Sequence, residues 1–150
     1  MEAEDEALLR AQLEGLCASA ARCGPSDFER LRVLSQTHGS TTRLVRRRVD
    51  GVLLCVKERS QPAAALHEVE MLARLHRHPQ CLGFEGAYLH AGRLCIVLEF
   101  APHGTLAAQI ERRRTRGDAL AEAEVLDVLV QLGGALAHLH RRGIVHRDLK

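Results

Sequence analysis

Apolar side chains at Leu8, Leu9, Leu13, Leu16 and Cys17 recur at the spacing of one helical face, so residues 5–22 are predicted as an amphipathic helix. Its acidic start suits the positive end of a helix dipole, and Gly24-Pro25 is expected to end it. The stripe is expected to pack on the helix's own domain. From Phe28 the hydrophobic period changes to two. Residues 28–34, 42–47 and 52–57 read as three antiparallel strands. Asp50-Gly51 between the last two predicts a type I′ hairpin turn, whose central residues both need positive φ. Pro62 opens a helical stretch with Leu66, Val69, Leu72 and Leu75 on one face, ending near His78-Pro79. Two more strands are predicted at 82–88 and 93–99. After Pro102-His103-Gly104 come two helices, at 105–114 and 121–141. The order of elements predicts an α+β fold: a five-stranded antiparallel sheet with one helix, then a helical pair. Residues 1–27 read as an N-terminal extension ahead of one domain at 28–150.

Composition narrows the classes of function. With 46% hydrophobic and 27% charged residues, the 150-residue chain suits a soluble globular domain. A net charge of +2 is too mild to argue for nucleic acid or a membrane surface, so neither is expected as a partner. The cysteines, Cys17, Cys23, Cys55, Cys81 and Cys95, are odd in number and scattered, which argues for a reducing compartment and against a disulfide framework or zinc site. The acidic start is unlike a signal peptide, and no apolar run approaches the roughly 20 residues of a membrane span. The expected location is cytoplasmic. His76 and His78, like His138 and His140, are two residues apart, about 200° around a helix, so no metal site is predicted. Arg46-Arg47-Arg48 lies beside a hairpin and Arg112-Arg113-Arg114 at a helix end, both read as solvated surface.

Four segments carry candidate chemistry. Cys55-Val56-Lys57 sets a cation on the third strand, Glu68 follows in the helix, Ile96-Val97-Leu98-Glu99-Phe100 runs out of the fifth strand, and Val145-His146-Arg147-Asp148-Leu149-Lys150 comes last. In this order they resemble a eukaryotic protein kinase, with its small lobe at 28–100 and the first two helices of an incomplete large lobe at 101–150. Lys150, two residues after Asp148, resembles the serine/threonine branch, and Val125 to Lys150 is similar to the NIMA-related kinases. The resemblance implies ATP-dependent phosphorylation of serine or threonine in a protein substrate, with ATP and Mg²⁺ as cofactors. It implies that Lys57 holds the α- and β-phosphates, oriented by Glu68 11 residues later. Glu70, about 200° around the helix from Glu68, would face elsewhere. Glu99 and Ala101 would offer backbone groups to adenine, Leu98 would guard the back of the pocket, and Cys55 would touch the adenine face. Asp148 would orient the substrate hydroxyl and Lys150 would neutralise the moving phosphoryl group, with His146 packed beneath the loop.

The chain departs from that family in its glycine-rich loop. Ser35, Thr37 and Ser40 stand at the glycine positions and Thr42 at the usual Val. Glycine there lets the backbone approach phosphate with positive φ, which β-branched Thr37 resists. The hydroxyls of Ser35, Thr37, Ser40 and Thr41 are candidate phosphate donors, and an ordinary polar hairpin is the other reading. The family's metal-binding Asn and Asp-Phe-Gly would follow Lys150, so the chain is expected to be part of a longer kinase or a truncated product, inactive by itself. The helix at 121–141 carries more apolar residues than one face needs, and a missing lobe or a protein partner is expected to cover it. A non-catalytic, pseudokinase-like interaction module is the competing class.

Overall fold

The computed structural model describes residues 3–149 apart from Ser19, Ala21 and His76. The elements, in order, are α1 (Ala3–Leu16), β1 (Phe28–Thr37), β2 (Ser40–Arg47), β3 (Leu53–Arg59), α2 (Pro62–Arg74), β4 (Phe84–His90), β5 (Arg93–Glu99), α3 (Leu106–Arg114) and α4 (Glu122–His140), with a 3₁₀ turn at Pro25–Asp27. They fall into two compact units, Met1–Arg77 with Leu82–Phe100, and His78–Cys81 with Ala101–Lys150.

In the first unit, the period-two runs form one antiparallel sheet in the order β1-β2-β3-β5-β4. Alternation along each strand divides the side chains between two faces. One face buries Phe28, Val45, Leu54, Val56, Cys95 and Val97, with Tyr88 stacked on Phe28 at a centroid distance of 6.1 Å. The other buries Leu94 and Ile96 against Ala65 and Val69 of α2 and Leu13 of α1. Pro62 supplies the first turn of α2, where a missing N–H costs nothing, and Ala65 and Val69 point its apolar stripe at the sheet.

Two turns differ from expectation. At Asp50-Gly51 only Gly51 has positive φ, at 74°, so the turn is not type I′. Asp50 instead uses its carboxylate to accept from the Val52 N–H at 3.1 Å and from Arg47 Nε at 3.0 Å, which stabilises a longer loop. The two-positive-φ turn lies at Ala91-Gly92, with φ of 49° and 68°. Helix α1 ends at Leu16, short of residue 22. Past Cys17 the sequence has no large apolar side chain to dock, and short helices depend on docking.

In the second unit, the Thr105 hydroxyl caps α3 by accepting from the Ala108 N–H at 3.2 Å. Arg113 of α3 holds Glu124 of α4 with two bonds, at 2.7 and 2.5 Å, and Glu124 also accepts from the Ala121 N–H at 2.9 Å. The paired guanidinium draws the Glu124 carboxyl down to a pKa of about 2. Gly143, at φ 70°, closes α4, with the Ile144 N–H reaching the Leu139 carbonyl at 3.1 Å. Val125, Leu126, Leu129 and Val130 form an exposed apolar stripe along α4.

Candidate functional site

Lys57 Nζ donates to Glu68 Oε1 at 2.7 Å. The contact follows from local structure. Lys57 sits on a central strand, opposite Thr42 of β2 and Ile96 of β5, and Glu68 lies almost two turns into a helix whose rotation is fixed by buried Ala65 and Val69. Glu70 faces elsewhere: it is half exposed and lies 3.4 Å from His67. The Lys57 and Glu68 side chains are 28% and 32% exposed, so the pair is partly sheltered yet reachable from solvent.

Directly opposed residues of antiparallel strands share a face. Ser35 opposes Thr42, Thr42 opposes Lys57, and Cys55 opposes Leu98, so these sequence-predicted residues lie together on the sheet face that α2 covers. Thr42, Cys55 and Leu98 are half-buried, and burial pushes the Cys55 thiol pKa up, leaving it a neutral, weakly polar surface. The face therefore sets an ammonium held by a carboxylate beside partly apolar side chains.

Thr37 and Ser40 frame a two-residue hairpin whose tip is His38-Gly39, with Gly39 at φ 80°. The Gly39 carbonyl accepts from the Ser60 N–H at 2.9 Å and from the Ser60 hydroxyl at 3.3 Å, which ties the tip to the end of β3. Thr37 Oγ1 donates to the Ser40 carbonyl at 3.5 Å. Glu99 closes β5: its N–H donates to the Gly83 carbonyl at 2.8 Å and its carboxylate accepts from the Gly83 N–H at 3.1 Å. In the second unit the Ala101 carbonyl accepts from the Gly104 N–H at 3.3 Å.

Asp148 is exposed, and its N–H donates to His146 Nδ1 at 3.3 Å. Arg147 between them has φ of 62°, a conformation uncommon outside glycine and often found at functional sites. His146 is exposed and does not pack beneath the loop, because its ring is turned back to the Asp148 amide. Lys150 and His76 lie outside the described residues.

One contact was missed in the sequence. The His78 and His138 rings meet at 4.2 Å within the second unit, a contact between positions 60 apart that no local period reveals. Among the described residues no group of three His, Cys, Asp or Glu is placed to hold a metal ion. Of 21 Lys and Arg residues, only Lys57 and Lys150, both singled out in the sequence, are lysine.

Residues 37–150 match the family model described as the protein kinase domain. The chain belongs to the protein kinase family. Similar proteins include serine/threonine-protein kinase Nek8 of Danio rerio, 35% identical over 130 residues, covering 82% of this chain and 18% of that protein. Probable serine/threonine-protein kinase nek3 of Dictyostelium discoideum is 31% identical over 130 residues, covering 82% and 12%. Wee1-like protein kinase 2 of Danio rerio is 31% identical over 119 residues, covering 75% and 22%. The chain thus spans between about an eighth and a quarter of the length of these relatives. The likeness to Nek proteins agrees with the serine/threonine character and NIMA-related pattern seen at the end of this kinase sequence.

Proposed function

We propose that this chain carries the nucleotide-holding part of a protein serine/threonine kinase, which transfers phosphate from ATP to protein hydroxyls. The observation that carries the reading is the Lys57–Glu68 ion pair of 2.7 Å on a face that also holds Thr42, Cys55 and Leu98. Lys57 binds phosphate oxygens, Glu68 keeps its ammonium from wandering, and Cys55 and Leu98 form the apolar bed of the adenine. Glu99 and Ala101 present backbone groups to the base, and Ser35, Thr37 and Ser40 offer hydroxyls near the phosphates. Asp148 orients the substrate hydroxyl, and Lys150 neutralises the transferring group. ATP, when bound, supplies the phosphoryl group.

A second reading, a non-catalytic module that binds a protein through the exposed α4 stripe, is favoured by the closed β1–β2 hairpin pinned to Ser60. ATP titration with and without Mg²⁺ separates the two. The kinase reading expects saturable binding lost in Lys57→Ala. No binding, or binding indifferent to Lys57→Ala, favours the module.

A further inference from the structure

We infer that α1 is a clamp whose Leu9 and Leu13 are positioning residues: they set α2 against the sheet and thereby bring Glu68 to Lys57. As far as function goes, this rests on the nucleotide-holding role proposed for Lys57.

Leu13 is 4% exposed and shares one buried cluster with Ala65, Val69, Leu94 and Ile96. Each of these bears on the ion pair. Val69 is the neighbour of Glu68, Ala65 lies one turn before it, and Ile96 is the cross-strand partner of Lys57. Leu9, one turn from Leu13, is also buried. The helix therefore seats on the platform that carries both members of the pair. An ammonium and a carboxylate need a spacing near 2.7–2.9 Å, and a small displacement of α2 forfeits the bond.

Nothing local obliges α1 to form. It has 14 residues, Gly15 near its end, no basic residue in its last turn, and one internal ion pair, Arg10–Glu6 at 2.6 Å. A helix of this length is marginal in water and owes its stability to docking. Docked and undocked α1 are thus two accessible states, and only the docked one presses on α2. By linkage, a ligand that favours the Lys57–Glu68 pair also favours docking of α1. The family match covers residues 37–150, and α1 lies outside it.

The test uses the full chain with Leu13→Asn and Leu13→Met, read by amide hydrogen exchange along the sequence. With Leu13→Asn, amides of residues 65–72 exchange faster by about tenfold or more, while β1 and β2 amides, packed in the opposite cluster, keep their rates. ATP affinity falls in the same variant, and the volume-conserving Leu13→Met restores both. A merely structural Leu13 would loosen both faces of the sheet together. Should Leu13→Asn fail to fold, Leu9→Ala is expected to give a smaller acceleration confined to residues 65–72. Wild-type exchange at 65–72 once α1 has loosened, in either variant, overturns the clamp. If the wild type binds no ATP, the nucleotide role falls, and exchange at 65–72 still decides the clamp.

Discussion

Replacing Lys57 by Met and Glu68 by Gln, singly and together, measures how tightly the two side chains act as a unit. Met keeps the length of the lysine stem, and Gln keeps the shape of Glu68 and one acceptor. The pair is 2.7 Å long, with its side chains 28% and 32% exposed, between a free surface ion pair and a buried one. Exposed pairs contribute about 0.2–1 kcal/mol and hydrogen bonds to charged groups about 1.5–3 kcal/mol, so a coupling of about 1 kcal/mol is expected here. With a urea slope of about 1–3 kcal/mol/M, that moves the unfolding midpoint by roughly 0.3–1 M. The assay is urea unfolding followed by tyrosine fluorescence. The chain has one tyrosine and no tryptophan, and Tyr88 stacks on Phe28 in the first unit, so the signal reports that unit alone. Coupling below about 0.3 kcal/mol, within the error of additivity, would refute the argument that Lys57 and Glu68 hold each other in place.

Gly39→Ala forces a side chain into φ 80° and sets its Cβ 3.0 Å from Ser60 Oγ, whereas Gly51→Ala meets φ 74° with nothing within 4 Å. Both lose about 1 kcal/mol or more to backbone strain, and the same urea assay is expected to show the larger loss for Gly39→Ala; equal losses would mean the Ser60 contact does not constrain the hairpin. Burial raises the thiols of Cys23 and Cys95 from 9.0 to about 11. Between those values the unfolded chain holds fewer protons than the folded one, so the stability these thiols contribute is complete below pH 9 and lost as pH rises through about 11. Circular dichroism melts from pH 8 upward should show a falling Tm over this window, with a shallower fall in the Cys23→Ser, Cys95→Ala double variant.

The sequence made the sheet and its partner helix readable because a period-two run next to Pro62 leaves little choice of element, and because Lys57 and Glu68 are brought together by adjacent elements. Where two residues meet through such short-range order, spacing suffices. The turns were harder. Asp50-Gly51 carries the composition of a type I′ turn, yet the Asp50 carboxylate stabilised another loop, while Ala91-Gly92 adopted two positive φ values that alanine seldom takes. There, strand register outweighed residue preference. The apolar stripe of α1 predicted a helix that packs on its own domain but could not say against which element, since Leu13 meets α2 and β5 through contacts more than 50 residues away. The end of α1 was misjudged because alanines at 18 and 20 suit a helix by propensity while offering nothing to dock.

The central claim is that Lys57 faces a bound nucleotide, and its most direct test is amine labelling of the full chain with and without ATP, resolved by mass spectrometry. Lys57 and Lys150 are the only lysines, so the readout is unambiguous. The account predicts that saturating ATP suppresses labelling at Lys57, and that Glu68→Gln weakens the protection. Labelling of Lys57 that proceeds at the same rate whether or not ATP is present would contradict it.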